Sequence, residues 1–203
     1  MILTPTETRR GFLGMLGAAA VMGAVPVPAA ALTPASAEAT IRKAVAEVYE
    51  VINSGAPEAE MFPRFTAVFA RYGDVDAIAR TCLGPTARNL PAAQFAAYRD
   101  AFEGYIGRRY GRRFREFVGG QVEVTGSRQV KSFVLVDSVA RLNGRAPMKV
   151  EWHVSDKSGQ VRFFNLVIEG VNLLGTERQE IGAMLARRRG DVAALTADLR
   201  ASA

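Results

Sequence analysis

Apolar residues recur along this chain with two periods, and the change from one to the other falls just past its middle. Ile41, Val45, Val48 and Ile52 are spaced by four, three and four, which predicts a helix with one buried stripe ending near Asn53-Ser54-Gly55. Phe62, Phe65, Phe69 and Tyr72 repeat that spacing; Gly73-Asp74 then stops the second helix and caps a third carrying Val75, Ile78, Ala79 and Cys82. Pro91 suits the first turn of a longer helix, marked on one side by Phe95, Tyr98, Phe102, Ile106, Tyr110, Phe114 and Phe117. Gly104, Gly107 and Gly111 interrupt it at about 1 kcal/mol each against Ala, which permits a bend or the close approach of a neighbour.

After Gly119-Gly120 the period drops to two. Val122 and Val124, then Val130, Val134 and Val136, then Val150, Trp152 and Val154 alternate with polar neighbours, with hairpin-like breaks at Gly126-Ser127, Asn143-Gly144 and 156–159. From Val161 the apolar residues crowd together and alternation blurs, the pattern of a central strand covered on both faces. Glu169-Gly170 interrupts that run, and Thr176 with Gln179 forms the Thr-x-x-Gln pattern of a capping box. A helix with Ile181 and Leu185 follows, stops at Gly190, and gives way to a last helix from Asp191 with Val192, Leu195 and Leu199. The expectation is an α+β fold: a four- or five-strand antiparallel sheet between N-terminal and C-terminal helices.

Composition supports a single core. The chain has 203 residues, 49% hydrophobic and 23% charged, enough for one well-filled domain. One cysteine, Cys82, excludes an internal disulfide; it lies on an apolar stripe with no His or Lys beside it in sequence, and reads as a buried small hydrophobe more than as a reactive thiol. With His153 the sole histidine, no metal site and no cofactor is expected.

The formal charge is +6, but the first residues look removable. Thr8-Arg9-Arg10-Gly11-Phe12-Leu13 resembles the twin-arginine export consensus, and an Ala-, Gly- and Met-rich run follows to Val25, too short and weakly apolar to favour a spanning helix. Ala35-Ser36-Ala37 points to cleavage at 37/38, with Ala29-Ala30-Ala31 and 31/32 as the second choice. The expected division is a cleaved export signal over 1–37 and one domain over 38–203, helical over 38–118, sheet over 119–171 and helical again over 176–201. The mature chain keeps 24 basic and 19 acidic residues, a net +5.

Five arginines, Arg108, Arg109, Arg112, Arg113 and Arg115, fall within eight residues of the aromatic-striped segment. They read as a solvated face or as a docking patch for anionic headgroups and acidic partner surfaces. Nucleic acid is not an expected partner, because the aromatics lie on the opposite stripe and are not interleaved for base stacking. The candidates for acid-base chemistry are Asp137, Glu151, His153 and Glu169. Lys149, Glu151 and His153 share the face opposite Trp152, an exposed face more than a pocket, so no catalytic residue is assigned.

Two blocks carry a resemblance to a known family. The first runs from Asp74-Val75-Asp76-Ala77-Ile78-Ala79-Arg80 and Leu83-Gly84 through Phe95 and Phe102 to Tyr110. The second joins Val150-Glu151-Trp152, Gly159 and Arg162-Phe163 to Ile168-Glu169-Gly170-Val171-Asn172-Leu173-Leu174 and Arg178. Together they resemble the MlaC or toluene-tolerance auxiliary family, the periplasmic phospholipid carriers of a lipid ABC transport system. Where that family often has tryptophan, lysine and aspartate, this chain has Val161, Arg162 and Asn165, and Asn172 replaces a common serine.

The resemblance implies a curved, NTF2-like cone of sheet around an apolar cavity, with phospholipid as cargo. The implied partners are an inner-membrane lipid ABC transporter complex and an outer-membrane lipoprotein complex, with the protein acting as a monomer. A hopanoid or other apolar lipid is the alternative cargo, and a small NTF2-like pocket enzyme the alternative function. A two-chain lipid exposes about 30 methylenes at about 0.8 kcal/mol each, so it needs a carrier to cross water. A strand of about six residues spans about 20 Å, comparable to an acyl chain. The expected lipid contacts are Phe102, Ile106 and Tyr110 on the helix and Val122, Val124, Val134, Val136, Trp152, Val154, Phe163 and Val167 on the sheet. A cavity wall and a closed core share one sequence pattern, so both readings stand for each position. Arg108, Arg109, Arg112 and Arg113 are the expected docking residues.

Overall fold

The structure, a computed structural model, describes residues 31–112 and 117–202. The twin-arginine motif, Arg113, Phe114 and Arg115 lie outside the described residues. Helix α1 (Pro34–Asn53) begins four residues ahead of the expected mature start. Its first turn is built to start there. The Thr33 side chain accepts from the Ser36 amide at 3.0 Å, the Ser36 hydroxyl accepts from the Thr33 amide at 2.8 Å, and Pro34 stands at the first helical position. Helix α2 (Glu58–Tyr72) ends at Gly73, and Asp74 caps α3 (Val75–Leu83) by accepting from the Ala77 amide at 3.1 Å. A short 3-10 helix (Gly84–Arg88) leads to α4 (Ala92–Gly111), where Pro91 stands just before the helix and not in its first turn.

Five strands follow in sequential antiparallel order: β1 (Gln121–Val130), β2 (Phe133–Arg141), β3 (Met148–Ser155), β4 (Arg162–Ile168) and β5 (Val171–Asn172). The expected break at Gly126-Ser127 is a bulge inside β1, and the chain turns back only after Val130, where Lys131 adopts φ 52°. A glycine within an alternating run marks a bulge as readily as a turn. The run from Val161 has strands on both sides, β3 along its length and the two-residue β5 beside Val167 and Ile168 only. Its apolar density reports cover on both faces, which says nothing of lateral position. Beyond β5's reach, the Asp74 amide donates to the Phe163 carbonyl at 2.8 Å and occupies part of the free edge.

The Glu169-Gly170 corner joins β4 to β5 with φ of 48° and 79°, the left-handed pair of a two-residue hairpin. Helix α5 (Leu173–Arg187) then starts three residues before Thr176. Its cap is Asn172, which accepts from the Gly175 amide at 2.9 Å, while the Thr176 hydroxyl, already inside the helix, donates to the Asn172 carbonyl. The expected Thr176 and Gln179 capping box is therefore absent, because an asparagine four residues earlier captures the helix start. Helix α6 (Val192–Ala201) is capped by Asp191, as its sequence predicts.

The molecule is an α+β fold in which α1, and not α4, crosses one face of β1 to β4; α4 packs behind it against α2, α3 and α6. The apolar interior divides in two. A large cluster joins α1, α3, α4, α5 and α6 to the inner sheet residues, and a smaller one, of Val51, Ile52, Met61, Phe65 and Val68, ties α1 to α2. Among the described residues no helix is long and apolar enough to cross a membrane.

Candidate functional site

A cavity of about 380 Å³ draws its wall from both clusters. Val45, Val48 and Ile52 of α1 and Phe65, Val68 and Phe69 of α2 form one side, and Ile106 and Tyr110 of α4 another. The sheet supplies Val122, Ala140, Val150, Trp152, Phe163 and Leu166, and the first turns of α5 close the wall with Leu173, Leu174 and Glu177. The Phe163 ring links two elements across it, with centroids 6.1 Å from Phe69 and 5.5 Å from Trp152. The Trp152 indole N–H donates to the Ser138 hydroxyl at 3.1 Å, which fixes the ring with its polar atom satisfied.

The residues expected at the cavity divide into three groups. Ile106, Tyr110, Val122, Trp152 and Phe163 line it. Phe102, Val124, Val134, Val136 and Val154 are buried in the large cluster and do not line this cavity. Val167 faces elsewhere: it pairs with Glu151, on the side of the sheet away from Trp152. The cause is a register shift at His153/Val154, which breaks the two-residue period of β4 so that Leu166 and Ile168, and not Val167, reach the wall. The α1 and α2 side was missed altogether. The stripes of those helices are visible in the sequence, but nothing in a stripe tells which helix a sheet will receive.

Polar groups on the wall are few. Arg145 and Glu177 are its charged residues, Arg145 exposed and Glu177 3% exposed. Glu177 Oε1 accepts from the Tyr110 hydroxyl at 2.6 Å and forms an ion pair with Arg109, whose Nε lies 3.0 Å away, and Arg109 Nη1 donates to the Tyr105 hydroxyl at 2.7 Å. Burial, then the bond to Glu177 and its charge, holds the Tyr110 phenol well above its ordinary range, so it stays a donor. Among the described residues two buried polar atoms on the wall have no hydrogen-bond partner, the Tyr49 hydroxyl and Glu177 Oε2.

The three described arginines of the cluster differ in their surroundings. Arg108 donates to the Leu199 carbonyl at 2.6 Å and the Ser202 carbonyl at 2.7 Å, satisfying the end of α6. Arg109 is bound to Glu177, and Arg112 is exposed. The acid-base candidates lie off the cavity: Asp137 pairs with Arg128 at 2.6 Å, Glu151 with Lys149 at 2.7 Å, and a Glu169 oxygen accepts from the Lys149 amide. Among the described residues no group of three or more His, Cys, Asp or Glu could hold a metal ion.

Asn165 and Asn172, two of the departures from the family pattern, share a task. Asn165, 5% exposed, accepts from the Leu174 amide at 3.1 Å while Asn172 accepts from Gly175, so the two side chains satisfy consecutive free amides where α5 meets the cavity.

A helix-backed antiparallel sheet holding a half-open, almost wholly apolar cavity defines a binding domain for an apolar ligand. The chain belongs to the MlaC family, whose profile matches residues 42–201. Its fold is similar to that of a phospholipid-binding protein from Ralstonia solanacearum, solved in complex with a phospholipid. That similarity has a TM-score of 0.69 at 20% identity over 81% of this chain and 94% of the other.

Proposed function

We propose that this protein is a soluble periplasmic carrier that holds phospholipid acyl tails in the cavity and shuttles the lipid between outer- and inner-membrane complexes. The observation that carries this reading is the wall: hydrocarbon and aromatic side chains from α1 to α5 and β1 to β4, with one buried charge among the described residues, around a space left open between two hydrophobic clusters. The phospholipid in the Ralstonia structure makes that lipid class the proposed cargo. Arg145, exposed at the lining, supports a headgroup phosphate kept at the rim. The unpartnered Tyr49 hydroxyl supports an ester carbonyl inside it. With a water-sized group taking about 30 Å³, the 380 Å³ present suits one acyl chain. A second chain requires the wall of α1 and α2 to spread, and the smaller cluster is the part of the core that yields.

Delivery involves an inner-membrane ABC transporter complex and an outer-membrane lipoprotein complex, with exposed Arg112 as the docking arginine, since Arg108 and Arg109 are engaged within the fold. A hopanoid would suit the same apolar wall. The pocket-enzyme reading is disfavoured by the position of Asp137, Glu151, His153 and Glu169 away from the cavity.

The fold also bears on where the export signal ends. Cleavage at 37/38 would cut the first turn of α1, discarding the Thr33 cap and Ala37, which is 0% exposed. Cleavage at 31/32 keeps both. It also frees an ammonium at Leu32, whose nitrogen lies 3.2 Å from Asp156 Oδ2, so processing would create an ion pair. We therefore take 31/32 as the site.

One experiment tests both readings: expression of the full chain in an exporting host, purification without detergent, then intact mass and lipid extraction. Near-stoichiometric phospholipid and a chain beginning at Leu32 are expected. Lipid-free protein that also takes up no labelled phospholipid from vesicles would sink the carrier reading, and a chain beginning at Glu38 would overturn the cleavage position alone.

A further inference from the structure

We propose that Glu177 makes the cavity selective for cargo carrying an aliphatic hydroxyl. This rests on the carrier reading and sharpens it.

A carboxylate is a costly choice for an apolar wall. Leucine at 177 would complete the hydrocarbon lining, and buried ion pairs are commonly no more stabilising than apolar residues of similar volume. The tie between α4 and α5 is made by one oxygen alone, because Oε1 takes both the Tyr110 hydrogen bond and the Arg109 ion pair. Oε2 is left buried, without a donor, on a residue that forms part of the cavity wall. An unsatisfied charged acceptor carries a desolvation penalty that a ligand donor would relieve.

Charge selects the kind of donor. Arg109 beside Glu177 makes the pair neutral, so a hydroxyl completes the site without adding charge in a low-dielectric space. An ammonium would bring an extra positive charge into that space, and a phosphate would meet the carboxylate as a like charge. A group reaching a residue only 3% exposed lies inside the cavity, not at the rim. The hydroxyl therefore belongs either to the acyl chain or to a glycerol headgroup drawn inward.

The test uses lipid-free full-length protein and vesicles offering equal amounts of paired lipids, with bound lipid identified by mass spectrometry. One arm pairs a phosphatidylcholine bearing a mid-chain hydroxyl with its methyl ether. The other pairs phosphatidylglycerol with its headgroup methyl ether. Wild type should favour the hydroxyl form by at least about tenfold in one arm, equivalent to about 1.4 kcal/mol and at the low end for a bond to a charged acceptor. The arm that shows the preference names the source.

Glu177→Gln reverses the chemistry of the free atom. Its carbonyl must turn to Tyr110 and Arg109, which leaves a donating amide where Oε2 stood. Hydroxyl and ether should then load about equally. Equal loading of both forms by wild type, or a preference that persists in Glu177→Gln, would overturn the proposal. If circular dichroism shows the variant unfolded, the wild-type ratio decides alone. Wild type that loads none of the lipids refutes the carrier reading, an outcome distinct from unselective loading.

Discussion

Cys82 is 2% exposed on the inner stripe of α3, and burial, with the Glu177 charge adding to it, pushes its thiol up to about 12. A thiol so protonated is packing material, as its place on an apolar stripe implies. His153 is the residue whose surroundings respond to pH. Its ring stacks on Phe133 with centroids 5.0 Å apart, and Asn165 Nδ2 lies 3.3 Å from its Nδ1, so the neutral ring accepts from an asparagine that also caps α5. Burial lowers its pKa, against the weaker opposing pull of Glu151. A lowered histidine pKa means that the unfolded chain takes up a proton before the fold does. Stability is thus full above the ordinary value of 6.5 and declines as pH falls below it, until the folded-state value is passed. Thermal midpoints at pH 7.5 and 5.5 should differ more in wild type than in His153→Gln. Equal differences would remove His153 from the acid response.

The junction of α2 and α4 explains two of the glycines that interrupt the aromatic stripe. A Cβ at Gly107 would fall 2.0 Å from Thr66 Oγ1, and one at Gly111 2.7 Å from Phe62 Cδ1. Close approach, and not a bend, is what these positions permit; Gly104 meets only the flexible end of Arg108. Gly107→Ala should therefore lose about 1–3 kcal/mol from overpacking despite a gain of about 1 kcal/mol in helix propensity. Adding Thr66→Ala should recover most of that loss. Denaturant unfolding of the two single variants and the double variant measures the coupling, and a more stable Gly107→Ala would show that the helices are not so close.

The whole molecule separates lining from core in a way that can be tested by charge. Val136, an expected lipid contact, is 0% exposed in the large cluster, whereas Val48, which was not expected there, is half-buried on the cavity wall. Val136→Asp buries a carboxylate with no partner and should abolish folding, as the loss of the native circular dichroism signal would show. Val48→Asp meets open space and should keep the fold while extractable lipid falls several-fold. Normal lipid content in folded Val48→Asp would mean that the tails lie elsewhere.

Local signals determined a large part of this protein. The helical stripes, the Asp74 and Asp191 caps, the Glu169-Gly170 corner, the antiparallel strands and the buried cysteine are all set by residues within a turn or two of each other, and short-range spacing reports them. Tertiary structure decided the rest, because the deciding contacts join residues far apart in the chain. The register shift at His153/Val154 sent Val167 away from the cavity. Asn172, with Asn165 reaching from β4, took the start of α5 from Thr176. The choice of α1 over α4 as the helix across the sheet made Val48 lining and Phe102 core. Glu177 carries no pattern at all in the sequence: it is one glutamate on an ordinary helix until folding brings Tyr110 and Arg109 to one of its oxygens and leaves the other buried without a donor.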